Sequence, residues 1–106
     1  MTTLTPLGAE AARRKLDAGE AILIDIRERD EHAREHIAEA QLAPLSSFDA
    51  KALAGDRAKT AIFHCKSGMR TRTNAQRLSA CGFADAYFLD GGIEAWKAAG
   101  YAVRRA

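Results

Sequence analysis

The chain has 106 residues, 47% hydrophobic and 28% charged, which is typical of one folded globular domain and excludes a disordered segment. With 16 basic and 14 acidic residues the formal net charge is only +2, which gives no indication of nucleic-acid binding. No apolar run approaches the ~20 residues of a membrane helix, and the N-terminal stretch lacks the apolar middle of a signal peptide. We therefore expect a single soluble domain over residues 1–106, located in the cytoplasm.

The first third of the chain predicts a helix, a buried strand and a charged loop. Apolar residues at helical spacing follow Thr5-Pro6 and stop at Gly19, which indicates an amphipathic helix with proline near its start and glycine at its end. The run AILIDI, residues 21–26, is short and β-branched and indicates a strand buried on both faces. The abrupt charge of RERDEHAREH predicts a loop with a short helical turn at the carboxyl end of that strand, where open α/β sheets build their sites.

The rest of the chain continues to alternate between helix-like and strand-like segments. After a short extended piece that contains Pro44, the predicted elements are a helix over 48–53, a strand over 60–65, a helix over 71–81, a strand over 86–89, a short helix over 93–100 and an edge strand over 101–103. Gly91-Gly92 forms a turn between the strand over 86–89 and the short helix that follows it. This alternation predicts an α/β fold with a central, mostly parallel sheet and helices on both faces.

The stretch HCKSGMRT, residues 64–71, places a cysteine where the second predicted strand leads into a helix. A loop with small Ser67 and flexible Gly68 can turn successive backbone N–H groups inward, and the following helix adds unpaired N–H groups of its own. A thiolate at Cys65, beside these donors and near Lys66 and Arg70, is expected to have a lowered pKa and to be reactive near neutral pH. The same cradle suits the negative charge of a persulfide or of an oxyanion.

A cysteine at the end of an apolar strand can also be a small buried hydrophobe, but the polar, glycine-containing turn with two cations favours a reactive Cys65. Cys81 is expected to be inert, because a helix over 71–81 that rises ~1.5 Å per residue holds the two thiols ~15 Å apart, whereas a disulfide needs Cα atoms within ~7 Å. The histidines and cysteines lack metal-ligand spacing. We therefore expect neither a metal nor an organic cofactor.

Three motifs, in this order, resemble the rhodanese family of sulfurtransferases. LIDIRERDEHAREHI is similar to the family's Asp-x-Arg segment, HCKSGMRT to its active loop, and GFADAYFLDGGIEAWKAAGYAV to its closing segment with Gly-Gly and Trp. The resemblance implies the three-layer rhodanese-like fold. The segment AREHIAEAQLAPLSSF is also similar to the rhodanese domain of a membrane-anchored bacterial branch of the family. The chain could therefore be a free-standing protein, or a domain excised from a protein anchored at the cytoplasmic face of the inner membrane.

The resemblance also implies a persulfide mechanism with no cofactor beyond the covalent sulfur. Cys65 would take a sulfane sulfur from a donor such as thiosulfate and pass it to cyanide or a thiol, and either partner could also be a protein. The substrate-binding loop would consist of Lys66, Ser67, Gly68, Met69, Arg70 and Thr71. Asp25, Arg27 and His36 are expected to support the site without touching substrate, the first two as a buried ion pair.

Two other functions compete with sulfur transfer. In the related dual-specificity phosphatases and arsenate reductases five residues separate the cysteine from the arginine, whereas four separate Cys65 from Arg70, and the tighter loop favours a sulfur atom over a tetrahedral oxyanion. Family members without the cysteine are usually non-catalytic binding modules. The presence of Cys65 favours an enzyme, although a redox-sensing thiol on a binding module stays open as an alternative.

Overall fold

The computed structural model describes residues 4–105, and a five-stranded parallel sheet forms its centre. The described residues form seven strands in all, which belong to this sheet and to a second, smaller one. They are β1 (Thr5–Leu7), β2 (Ala21–Asp25), β3 (Glu35–His36), β4 (Gln41–Leu42), β5 (Thr60–His64), β6 (Asp85–Leu89) and β7 (Arg104–Arg105). The main sheet has the order β1-β6-β5-β2-β4, and each of its pairings is parallel. Strands β3 and β7 form a separate antiparallel pair.

Helices cover both faces of the main sheet. They are α1 (Ala9–Asp17), α2 (Arg29–Arg34), α3 (Met69–Thr73), α4 (Ala75–Ser79) and α5 (Gly92–Ala98). Leu78 of α4 packs in one core cluster with Phe63 of β5, whereas Trp96 of α5 packs in a second cluster with the neighbouring Ile62. Because adjacent side chains of a strand point to opposite faces, the two clusters lie on opposite sides of the sheet. The predicted α/β fold is confirmed. No helix within residues 4–105 is long and apolar enough to cross a membrane.

Strands β2 and β5 lie in the interior of the sheet and determine where the site is built. Both are buried on their two faces, as their apolar, β-branched runs predict. Their parallel register aligns Asp25 with His64. The chain segments that follow the two strands therefore leave the sheet side by side, and Arg27 and Cys65 emerge at the same edge.

The start of the chain differs from the prediction. Thr5–Leu7 forms edge strand β1 on β6, and the first helix begins only at Ala9, after Gly8. Pro6 is tolerated there because an edge strand does not need every N–H donor. A strand of three residues has too few positions to show a periodic pattern. The proline, which is common at the first position of a helix, therefore favours a helix start over a strand when the sequence is read alone.

Two further helical predictions need correction. The helix expected over 48–53 is replaced by two short 3₁₀ turns, Leu45–Ser47 and Ala50–Ala52. The helix expected over 71–81 begins at Met69 and is divided into α3 and α4 at Asn74, whose side-chain amide donates to the carbonyl oxygen of Arg70 at 2.8 Å. Such a local side-chain bond competes with the helical hydrogen-bond ladder.

The final edge strand was expected over 101–103 and instead lies at Arg104–Arg105, paired with β3. Tyr101 and Val103 pack against the second core cluster, and the Tyr101 ring lies 5.0 Å from that of Trp96. Burial of these side chains holds the backbone against α5, so sheet pairing begins only beyond them.

Candidate active site

Cys65 follows β5 directly and begins the loop that leads into α3. The loop turns at Gly68, whose φ of 100° lies in the left-handed region that favours glycine. The hydroxyl of Thr71 donates to the carbonyl oxygen of Gly68 at 2.7 Å and so closes the turn. The loop consequently curls back over the cysteine side chain.

Backbone N–H groups of this loop surround the Cys65 sulfur. The N–H of Gly68 donates to Sγ at 3.1 Å, and the residue is only 1% exposed. Burial raises the pKa of the Cys65 thiol. Hydrogen bonds from backbone N–H groups of the loop have the opposite effect, outweigh burial together, and hold that pKa below its usual value. These N–H groups belong to Thr71, Gly68, Ser67 and Arg70. Because α3 has only five residues, these local donors, rather than a long helix, stabilise the thiolate.

A buried ion pair lies behind the loop, at the end of β2. Arg27 Nη2 donates to Asp25 Oδ2 at 2.8 Å and Arg27 Nε to Oδ1 at 3.0 Å, and the Arg27 backbone N–H also donates to Oδ1 at 2.9 Å. Burial raises the pKa of the Asp25 carboxyl, but the hydrogen bonds and the positive charge of Arg27 hold that pKa below its usual value. Arg27 Nη2 also donates to the carbonyl oxygen of Glu35 at 2.7 Å. The pair thus ties the end of β2 to β3.

His64 lies between this ion pair and the cysteine, fully buried. Its Nδ1 is 3.2 Å from the carbonyl oxygen of Cys65, and its Nε2 is 3.7 Å from Asp25 Oδ2. Burial lowers the pKa of His64, so the ring is neutral near pH 7 and its Nδ1–H donates to the Cys65 carbonyl. The imidazole therefore contacts the backbone of the loop rather than the thiol.

The two cations of the loop have different surroundings. Arg70 forms a bidentate ion pair with Glu31 of α2, with Nη1–Oε1 and Nη2–Oε2 distances of 2.8 Å. The hydrogen bonds from Arg70 lower the pKa of Glu31 to about 2, so this carboxylate stays ionised, and the pair intact, above about pH 2. Much of the positive charge of Arg70, a residue of the expected substrate-binding loop, is thus neutralised by Glu31.

Lys66, in contrast, is exposed and forms no ion pair within residues 4–105. It lines a cavity of about 190 Å³ beside the loop, together with Arg27 and Glu94. Lys66 is consequently the loop cation that is available to attract an anion from solution.

The first turn of α5 packs directly against the backbone of the Cys65 loop. The N–H groups of Ile93 and Glu94 donate to the carbonyl oxygens of Cys65 and Lys66 at 3.0 and 3.2 Å. A Cβ atom on Gly92 would lie 2.4 Å from the Lys66 carbonyl oxygen and 2.5 Å from that of Cys65. Glycine at position 92 is therefore needed for this close approach, and the approach holds the loop in place.

The family model for the rhodanese-like domain matches residues 8–99. The chain belongs to the rhodanese family. The thiosulfate sulfurtransferase GlpE of Coxiella burnetii is 36% identical to this rhodanese domain over 80 residues, 73% of this chain and 72% of that protein. An uncharacterized protein of Synechocystis is 38% identical over 79 residues, 74% of this chain but 44% of that protein, so this chain spans less than half of that relative. A crystallised rhodanese-related protein of Thermoplasma volcanium matches with a TM-score of 0.80 at 25% identity, over 94% of this chain and 97% of that one.

His36, the remaining site residue expected in this rhodanese domain, lies apart from the loop on β3. Its Nδ1 is 3.0 Å from the carbonyl oxygen of His32, and the two rings stack with centroids 4.0 Å apart. None of the hydrogen bonds described for residues 4–105 joins His36 to the Cys65 loop. Its contacts fix the junction between α2 and β3.

Sequence reasoning missed two residues of the rhodanese site. Glu31 holds Arg70, and its only sequence signal is its place three residues after Glu28 in an acidic helix start, where the two side chains form a capping box. Gly92 is singled out only as part of a turn, because the carbonyl groups that require a glycine there come from a loop far away in the chain.

We expect the two thiols of this rhodanese domain to titrate on opposite sides of the ordinary cysteine pKa. The pKa of Cys65 is lowered by the loop N–H groups, whereas burial raises the pKa of Cys81. In a Cys81→Ala variant, thiolate absorbance near 240 nm should develop below that pKa, and in a Cys65→Ser variant only above it. A Cys65 thiol that titrates at or above the ordinary value would contradict the N–H cradle.

Proposed function

We propose that this rhodanese domain is a thiosulfate sulfurtransferase that carries a sulfane sulfur on Cys65 as a persulfide. The observation that carries the proposal is the convergence of loop N–H groups on the buried Cys65 Sγ, led by the 3.1 Å bond from Gly68. A thiolate stabilised in this way is a nucleophile near neutral pH and needs no general base. The relative from Coxiella burnetii, a thiosulfate sulfurtransferase by name, supports the same substrate.

In the first half-reaction the Cys65 thiolate attacks the outer sulfur of thiosulfate. A new S–S bond forms to Cys65 while the S–S bond of thiosulfate breaks, and sulfite leaves with the electron pair. Lys66, at the mouth of the loop, attracts the dianion. The N–H groups that held the thiolate then face the negative charge of the Cys65 persulfide.

In the second half-reaction a nucleophilic acceptor such as cyanide attacks the outer sulfur of the persulfide. The bond to Cys65 breaks, the sulfur leaves as thiocyanate, and the Cys65 thiolate is restored as leaving group. The loop N–H groups favour this step as well, because a thiol with a lowered pKa is a better leaving group. Free enzyme and persulfide enzyme alternate, with no proton transfer required in either step.

The Arg70–Glu31 pair favours sulfur transfer over phosphatase or arsenate reductase chemistry. A tetrahedral oxyanion is best held by a guanidinium that offers two parallel N–H groups, and both terminal nitrogens of Arg70 are bound to Glu31 at 2.8 Å. The outer sulfur that thiosulfate transfers is a single atom and needs only the backbone N–H groups, while its sulfonate leaves as sulfite and need not be held by Arg70.

Initial rates of thiocyanate formation test the proposal. Thiosulfate and cyanide should be varied together, and double-reciprocal plots should give parallel lines, because sulfite leaves before cyanide reacts. Intersecting lines would mean that both substrates bind before any product leaves, which would contradict a persulfide enzyme. No thiocyanate above the uncatalysed rate would contradict thiosulfate as the donor.

A further inference from the structure

The segment around the active loop has an uneven distribution of charge. Residues 57–84 contain no aspartate or glutamate, although the whole chain has 14 acidic residues against 16 basic ones. The basic residues of this segment are Arg57, Lys59, Lys66, Arg70, Arg72 and Arg77. Lys66 and Arg72, on either side of the loop turn, are both exposed. Because Arg70 is paired with Glu31, Lys66 and Arg72 are the two residues that place positive charge beside the loop turn that holds Cys65.

An exposed apolar side chain lies between Lys66 and Arg72 in the chain. The Met69 side chain is 67% exposed, and among residues 4–105 it is the one large hydrophobic residue that is exposed to solvent. It begins α3, three positions before Arg72, so the two side chains share one side of the helix. Methionine is flexible and polarisable, which suits a contact surface for another protein.

An apolar cavity of about 410 Å³ opens next to these residues. Its walls are formed by Leu4, Pro6, Arg72, Ala75, Phe88 and Asp90. The Phe88 ring separates the cavity from the loop, since a Cβ atom on Gly68 would lie 3.6 Å from Phe88 Cε2. Arg72 lies over the same ring, 5.7 Å from its centroid. The cavity and the active loop thus share one wall.

We infer that Lys66, Met69, Arg72 and this cavity form a docking surface for an acidic protein segment whose own cysteine accepts the sulfur from Cys65. This inference rests on the proposed function. Cys65 is 1% exposed, so an acceptor thiol must enter the loop, and apolar contact at Met69 and in the cavity would hold it there. The basic side chains steer an acidic partner toward this face.

The transfer step is a thiolate exchange. The acceptor thiolate attacks the outer sulfur of the Cys65 persulfide, a bond forms between the acceptor sulfur and that atom, and the bond to Cys65 breaks. The Cys65 thiolate leaves with the electron pair, and the acceptor becomes the persulfide. Cys65 is ready for another donor.

Synthetic peptides serve as the acceptor probes. One peptide has a cysteine flanked by glutamates and a leucine, a second has lysines in place of the glutamates, and a third is acidic with serine in place of leucine. Loss of the Cys65 persulfide is followed by intact mass. At low ionic strength the first peptide should discharge it about tenfold faster than the second, with the advantage falling as salt is added, and the third should be slower than the first. Equal rates for all three would overturn the docking surface.

Charge-reversal variants locate the surface. Arg72→Glu should slow discharge by the acidic leucine peptide by roughly tenfold while discharge by the small neutral thiol 2-mercaptoethanol stays within about twofold. Arg14→Glu is the matched control, because Arg14 is exposed and lies on α1, which packs on the opposite face of the sheet. The control should leave both rates unchanged. A decrease of similar size in both variants would overturn the assignment of the surface.

A binding measurement separates this inference from the proposed function. Fluorescence anisotropy of the acidic leucine peptide, with serine in place of its cysteine, reports docking to the reduced protein and needs no persulfide. Binding that is weakened by Arg72→Glu would support the surface even if thiosulfate failed to load Cys65. If the Cys65 persulfide formed but the peptide did not bind, the docking inference would be overturned and the proposed sulfurtransferase function would be unaffected. A single-stranded oligonucleotide that bound more tightly, with the same dependence on Arg72, would also overturn it, because a nucleic acid would then be the partner.

Discussion

A Cys65→Ser variant should lose thiosulfate-dependent thiocyanate formation by roughly four orders of magnitude or more, as expected when the nucleophile of a covalent mechanism is removed. The serine hydroxyl can accept the same N–H bond from Gly68 that now reaches Sγ at 3.1 Å, so the loop keeps its donors occupied and the fold is retained. A hydroxyl, however, stays protonated near neutral pH and cannot form a persulfide. Thiocyanate release and thermal unfolding, measured on the same preparation, check both expectations.

Cys81→Ala is the matched control for this variant. Cys81 is buried against α4, with its Sγ 3.9 Å from the carbonyl oxygen of Arg77, and burial raises the pKa of its thiol. The control should therefore keep nearly full activity with a modest loss of stability. Substantial activity in Cys65→Ser, or a matching loss in Cys81→Ala, would assign the sulfur to a different atom.

A Gly92→Ala variant should lose both stability and sulfur transfer. Its Cβ would lie 2.4 and 2.5 Å from the carbonyl oxygens of Lys66 and Cys65, which are backbone atoms and cannot rotate away. The φ of 61° at this position adds the cost of a left-handed conformation. We expect the free energy of unfolding to fall by about 2–4 kcal/mol and the rate of persulfide formation to fall with it, because the loop must move away from α5.

Gly82→Ala separates the two parts of that effect. Gly82 also has a positive φ, 86°, but a Cβ atom there would meet nothing within 4 Å. This variant should lose only the conformational part of the stability, about 1–2 kcal/mol, and keep its activity. Chemical denaturation and the rate of sulfur loading give the two measurements. Equal losses of sulfur loading in both variants would show that the contact between Gly92 and the loop is not what positions Cys65.

The sequence allows the centre of the sheet and the identity of the candidate nucleophile to be predicted. β2 and β5 are each covered on both faces, so nearly every position must hold an apolar residue. The strands therefore appear in the sequence as continuous apolar runs. The loop is equally local, because Cys65, Gly68 and Thr71 lie within one turn of chain and bond to one another. Local patterns of this kind survive without knowledge of the tertiary fold.

The features that escape prediction depend on contacts between distant parts of the chain. Arg70 looks like a free cation in sequence, and only the folded structure brings it to Glu31, 39 residues away. The short strands β3 and β7 pair across a still wider gap, with Glu35 opposite Arg105, and are too brief to carry a periodic signal. The break in the helix lies at Asn74, whose side chain bonds to the Arg70 carbonyl oxygen, and one such local bond leaves no mark in a pattern otherwise typical of a continuous helix.

Intact-mass measurement after incubation with thiosulfate tests the central claim most directly. The reduced protein and its Cys81→Ala variant should each gain the mass of one sulfur atom, and cyanide should remove it, whereas Cys65→Ser should gain nothing. A protein that gains no sulfur while its Cys65 thiol still reacts with an alkylating reagent would contradict thiosulfate loading of this cysteine.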